Sequence, residues 1–234
     1  MKLPISKRLL CCASMVPQGS RVADIGTDHG YLGIHLLQTG VSPHVIACDL
    51  RQGPLENAKR NAQAFGVGDE MTFRLSDGLE KISPDEIECA VLAGMGGDLI
   101  LRILDACAWR KREGLTFVLQ PQSAGNVLRR WLCGEGFEIL REEPVQDGNF
   151  LYTAMEVKQG TPAQLTPGTE YASAALLRSR NPLVGNYLLR VENALQATVD
   201  GLTNAEKQRP ERLAYFAQAL QEIREMRENY ADNP

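Results

Sequence analysis

The run Val22-Ala23-Asp24-Ile25-Gly26-Thr27-Asp28-His29-Gly30-Tyr31-Leu32 leads an apolar segment into a glycine-bearing turn and then into a helical pattern. Such a turn lets backbone approach a ligand with no Cβ in the way, and the helix that follows offers unpaired N–H groups. Gly26 and Gly30 do not fit GxGxxG, the spacing that serves a pyrophosphate. Asp24 and Asp28 would repel a diphosphate but favour a ligand carrying an ammonium and a sulfonium. S-adenosylmethionine (SAM) has both charges.

Two further acids continue the pattern. Asp49, followed by Leu50, ends the next apolar run, where a carboxylate can accept both ribose hydroxyls. Ser76-Asp77-Gly78 follows the third run and places Asp77 to accept from an adenine amino group. One strand-end Asp is commonly a helix cap or turn former. Three at successive strand ends point to a cofactor. After the fourth run comes Gly94-Met95-Gly96-Gly97, a turn that leaves room for a planar base against backbone. Amino-group methyltransferases often carry an acid or Asn, then Pro-Pro and an aromatic, at this point. Its absence argues against an exocyclic amine as acceptor, and Gln120-Pro121-Gln122 adds amides able to read a base edge.

The elements that must hold these residues alternate. Apolar, β-branched runs at 21–25, 44–48, 71–74, 89–93, 116–119, 137–141 and 151–157 read as strands, and helical patterns fall at 31–38, 54–65, 99–108 and 124–133. This is the order of a Rossmann-like α/β domain with a seven-stranded sheet. The two consecutive final strands fit the antiparallel closing hairpin of methyltransferase sheets better than an all-parallel dehydrogenase sheet. Residues 3–15 read as an amphipathic helix, with Ser6 near its start. Gly160, Pro162, Pro167 and Gly168 mark a linker over 158–169, separating a domain at 1–157 from a helical one at 170–234. In that second part, Leu188, Val191, Leu195, Val199 and Leu202, then Leu213, Phe216, Leu220, Ile223 and Tyr230, recur at helical spacing. The two helices form an antiparallel hairpin, or pack singly on the sheet domain; the readings are compatible.

With 44% hydrophobic and 23% charged residues over 234 positions, disordered and collagen-like classes are excluded. No run approaches the roughly 18 apolar residues that span a bilayer, and no leader is evident, so a cytoplasmic protein without membrane contact is expected. The six cysteines lack metal-ligand spacing and read as free, buried thiols; no metal site is expected. A net charge of -4 weighs mildly against a basic nucleic-acid-coating protein. Local clusters can still contact phosphates: Lys7-Arg8, Arg51, Arg102, Arg110-Lys111-Arg112, Arg129-Arg130 and the pair Arg178 and Arg180.

The chain resembles the bacterial tRNA (adenine-22 N1)-methyltransferases, the TrmK-like family. The matching segments are Ser6-Lys7-Arg8-Leu9, Ala23 to Leu32, Asp49 with Gly53 to Ala58, Ser76 to Leu79, Ala93 to Gly97 with Leu99-Ile100, and Leu119 to Gln122. Gly30 and Gly33 depart from the Ala and Pro that many members carry, changes expected to loosen the turn. The resemblance implies SAM-dependent methylation of adenine N1 in the D-loop region of tRNA by a monomer, with a coiled-coil-like hairpin engaging the RNA. Together with the residue reading, it assigns the cofactor to Asp24, Gly26, Thr27, Asp28, Gly30, Asp49, Leu50, Asp77, Gly78, Gly94, Met95 and Gly96. Asp28, His29 and Tyr31 are the candidates for the chemical step. Lys7, Arg8, Gln120, Pro121, Arg129, Arg178 and Arg180 are the candidates for substrate. The alternatives are methylation of another RNA or a small molecule, or a SAM-binding regulatory protein whose hairpin recruits a partner.

Overall fold

The computed structural model describes residues 2–205, 207 and 209–232, so residues 206, 208, 233 and 234 of the expected helical domain lie outside the description. The elements are α1 (Lys7–Ala13), β1 (Val22–Ile25), α2 (Tyr31–Gln38), β2 (Val45–Asp49), α3 (Gln52–Ala64), β3 (Met71–Leu75) and β4 (Cys89–Gly96). They continue as α4 (Gly97–Ala106), β5 (Thr116–Ser123), α5 (Gly125–Gly134), β6 (Phe137–Asp147), β7 (Phe150–Gln159), α6 (Ala174–Arg178), α7 (Val184–Thr203) and α8 (Pro210–Asp232). The seven strands form one sheet in the order β3-β2-β1-β4-β5-β7-β6. β7 runs antiparallel to both neighbours and the other pairings are parallel, which is the expected closing hairpin.

Because β1, β2 and the first halves of β4 and β5 are buried on both faces, they read as continuous apolar runs, whereas the edge strand β3 is only partly buried. One core, with Ile100, Leu104, Leu128 and Leu132, joins the sheet to α4 and α5. On the other face, Cys12, Leu32, Leu36 and Ala62 bring α1, α2 and α3 against Val45, Val91 and Ala154. Each fully buried Leu or Ile there contributes about 1.5–3 kcal/mol. Leu176, Leu188, Leu195, Leu220 and Ile223 of α6, α7 and α8 make a third core that takes in Leu151 of β7. Arg224 and Arg227 of α8 pair with Glu192 of α7, while the Tyr230 hydroxyl reaches Ser179 O ahead of α7, so α7 and α8 are antiparallel. Hairpin formation and packing on the sheet domain therefore coexist.

Several strands outrun their expected ends. β4 continues through Gly94-Met95-Gly96 with irregular register against β5, where a turn was expected. β6 passes Arg141 because its charged residues find partners: Glu142 pairs with Arg129, Glu143 accepts from Ser179, and Arg141 donates to Ser14 O. β7 reaches Gln159, inside the expected linker, and α6 had no separate forecast. α1 is shorter than the 3–15 expected, since Ser6 caps it by accepting from Leu9 N. Gly30 and Gly33 are not slack positions. Gly30 has φ 72° and packs on α3, where a Cβ would stand 3.0 Å from that of Ala58. A Cβ on Gly33 would press on Met71 and Val45. All six cysteines are free; Cys11 and Cys133 are only half-buried. Among the described residues no helix is long and apolar enough to cross a membrane.

Candidate active site

The parallel register levels Ile25 with Cys48 and Asp49 with Leu75, so the turns after β1, β2 and β3 open on one edge of the sheet. Asp24 is buried there, and its Oδ2 accepts from Thr27 Oγ1 at 2.8 Å. Burial pushes the Asp24 carboxyl up to about 6; the Thr27 hydroxyl opposes the rise and the nearby Asp49 charge adds to it. Gly26, at φ 80°, and Thr27 both donate their N–H to Cys48 O. A Cβ at Gly26 would meet the Met95 methyl, the movable end of a flexible side chain, so it is the positive φ that calls for glycine here. Asn61 of α3 donates to His29 O at 2.9 Å and pins the far end of the turn.

Asp49 keeps one oxygen on Arg51 N at 2.8 Å, and its other oxygen has no hydrogen-bond partner among the described residues. Beyond it, Leu50 and Leu99, 65% and 38% exposed, face a concavity of about 610 Å³ that Asp77, Arg102 and Ile103 also line. Exposed leucines with a carboxylate among the lining residues suit a flat heteroaromatic ring. Gly78, at φ 53°, packs against Ile103, from which a Cβ there would stand 2.7 Å.

A second concavity of about 340 Å³ joins Asp24, Asp28, His29, Tyr31, Arg8 and Gly94. Asp28 and His29 are 3.3 Å apart with exposed side chains, and the His29 and Tyr31 rings stack at 5.3 Å. The three residues expected to act in the chemical step are thus brought together on one wall.

The substrate assignments fare unevenly. Lys7 is exposed on α1, and Arg8 reaches into the second concavity. Gln120 was expected to read a base edge, but it is fully buried and its amide is spent inside: Oε1 accepts from Arg8 and Gly94 N, and Nε2 donates to Pro121 O. Pro121 is buried as well. Arg129 is a larger correction. Its guanidinium is buried against Glu142 and also donates to Glu170 O, Thr153 and Tyr187, so it ties the two parts of the chain together instead of meeting phosphate. Arg178 is exposed but lines a separate concavity with Phe137 and Ile139, at the opposite end of the sheet, because α6 crosses β6 toward its start. Arg180 is exposed at the β6 edge, between Ser179 and Asn181, which bond Glu143 and Pro144 O.

Asp147, Glu142 and Ile103 were absent from the sequence reading. Asp147 stands 3.6 Å from Arg8, from the tip of the β6–β7 hairpin, and no local pattern announces a pair so distant in the chain. The Arg141-Glu142-Glu143 run held the only available signal, a charged triplet inside a strand pattern that needs partners.

A family model described as a methyltransferase domain matches residues 5–155. The tRNA (adenine(22)-N(1))-methyltransferase of Bacillus subtilis (strain 168) is 30% identical over 194 residues, covering 83% of this chain and 79% of that one. The crystal structure of the B. subtilis m1A22 tRNA methyltransferase TrmK superposes with a TM-score of 0.85 at 26% identity, over 97% of this chain and 100% of that chain. A Streptococcus pneumoniae structure in complex with S-adenosyl-L-methionine gives a TM-score of 0.81 at 28% identity, over 95% of this chain and 99% of that chain. With the strand-end acids and the turn after β1 in place, this chain belongs to the family of bacterial tRNA (adenine(22)-N(1))-methyltransferases.

Proposed function

We propose that this protein transfers the methyl group of SAM to N1 of adenine 22, in the D-loop region of tRNA, acting as a cytoplasmic monomer. The observation that carries the reading is the convergence of Asp24, Asp49 and Asp77 at neighbouring strand ends, beside an open cleft that holds Asp28 and Arg8. The residues fit the cofactor. Asp24 would take the ammonium, Asp49 the ribose hydroxyls, and the slot of Leu50, Asp77, Gly78 and Leu99 the adenine, with Gly26, Thr27, Gly30 and the Gly94-Met95-Gly96 segment close to its chain. When bound, SAM supplies an electrophilic methyl on a sulfonium.

Adenine N1 presents an in-plane lone pair and needs no general base, so positioning is the protein's main contribution. Positive charge passes from sulfur to the base during transfer. Asp28, with His29 and Tyr31 beside it, is placed to favour that movement selectively. Asp28→Asn is expected to lower kcat about tenfold or more while SAM affinity changes less; loss of both in step would reduce Asp28 to a binding residue. Lys7 and Arg180 contact phosphates in this reading. Residues 1–157, continued by the end of β7 to Gln159, carry the transfer site, the rest of 158–169 connects, and 170–234 grip the RNA. Incubation of the protein with tritiated SAM and bulk tRNA, followed by nucleoside analysis, tests the proposal: label in 1-methyladenosine supports it, and no transfer to tRNA refutes it.

A further inference from the structure

We propose that the acceptor base rests on the guanidinium of Arg8, and that Gln120 is a positioning residue that holds that guanidinium in place. The assignment depends on the tRNA-methylation reading above. It changes the roles drawn from the sequence, in which Arg8 contacted phosphate and Gln120 read the base.

The geometry around Arg8 has three parts. Arg8 Nη1 donates to Gln120 Oε1 at 2.8 Å, and Gly94 N donates to the same oxygen at 3.0 Å. A Cβ on Gly94 would stand 2.8 Å from Nη1 and 3.6 Å from both Cζ and Nη2, so the guanidinium lies along the Gly94 backbone. Asp147 Oδ2 stands 3.6 Å from Nε, and Nη2 makes no hydrogen bond among the described residues. The space over Gly94, which the glycines suggested for a planar base, is therefore taken by a planar cation. A base in this cleft meets that plane first.

Chemistry favours a base over a phosphate here. The Arg8 side chain is only 19% exposed and lies inside the cleft shared with Asp28 and Tyr31. A phosphate would face the Asp147 carboxylate, which already neutralises the guanidinium. A nucleobase feels no such repulsion and gains from stacking on a weakly hydrated, planar guanidinium. The pairing with Asp147 also limits the cost of the positive charge that appears on the methylated base. Gln120, fully buried and with its amide oxygen shared, sets the plane of Arg8 and the position of Gly94 through one atom.

The test uses the full chain, a tRNA transcript and SAM. Arg8→Lys keeps the charge and removes the plane, so kcat/KM for tRNA should fall about ten- to a hundredfold while SAM affinity by calorimetry is retained. The salt dependence of tRNA binding should not change, because no phosphate contact is lost. Gln120→Met should show the same split, Gln120→Glu, which restores the acceptor for both donors but loses the donor to Pro121 O, should recover part of the rate, and Arg8→Ala with Gln120→Met should be no worse than Arg8→Ala alone. Wild-type rates in Arg8→Lys would overturn the assignment. So would a salt slope lowered by about one in Arg8→Ala with kcat intact, which marks a phosphate contact. Additive losses in the double variant would overturn the positioning role of Gln120. A wild-type chain that transfers nothing to tRNA removes the activity itself, an outcome distinct from failure of the Arg8 assignment in an active enzyme.

Discussion

The two sides of the cleft are built differently. On the cofactor side, Asp24, Thr27 and Gly26 form their turn within a few consecutive residues, Asp49 ends β2, and Asp77 follows β3 by two residues. On the acceptor side, Arg8 meets Gln120 across 112 residues of sequence, and at the junction with the C-terminal helices Arg129 meets Tyr187 across 58. The first side is local backbone conformation, which short residue patterns specify. The second is side-chain pairing between remote elements, and it exists only once the sheet, α1 and the C-terminal helices have assembled. The cofactor half should therefore tolerate disturbance of the helical part better than the acceptor half does.

The largest effect is expected at the buried pair that joins the two parts. Glu142→Ala leaves the Arg129 guanidinium buried without its carboxylate and should cost about 3–5 kcal/mol in urea denaturation. A loss under about 1 kcal/mol would show that the junction does not depend on the pair. Next comes Asp49→Ala, expected to weaken SAM binding by about 2–3 kcal/mol, since one carboxylate serves two hydroxyls. Wild-type affinity in calorimetry would remove Asp49 from the site.

Asp24 gives a pH dependence. Its carboxyl rises from 3.8 to about 6 on folding, so the folded chain holds that proton more tightly than the unfolded one. The stability this contributes is full below about pH 3.8 and is lost as pH rises through about 6. At pH 8 the ionised group opposes folding, and Asp24→Asn should stabilise the ligand-free protein by on the order of 1–3 kcal/mol while weakening SAM binding. Affinity of the wild type for SAM should fall as pH drops through about 6. A variant less stable than wild type at pH 8 would contradict this account. The smallest effect is Lys7→Ala: tRNA affinity should drop a few-fold and the salt slope by about one. An unchanged slope would place Lys7 outside the RNA contact.

The succession of strands and the turn after β1 were legible because both are written in contiguous residues: apolar runs, Gly26, Gly30 and the acids that follow each run. β6 was read too short because Arg141, Glu142 and Glu143 look like a strand end until their partners are known. Arg129 was misread for the same reason. An Arg-Arg pair looks like exposed charge, and only the fold brings Glu142, Thr153 and Tyr187 around one of its members. Gln120 shows the limit most clearly. Its amide was recognised as important, but burial turned it from a group that meets substrate into one that orients Arg8.

The most direct measurement of the central claim is mass spectrometry of nucleosides from a tRNA transcript incubated with the protein and SAM, alongside a transcript in which adenine 22 is replaced by guanine. The first transcript should yield 1-methyladenosine and the second no methylated nucleoside. Methylation of both to the same extent, or a product that is N6-methyladenosine before any alkaline rearrangement, would contradict the claim.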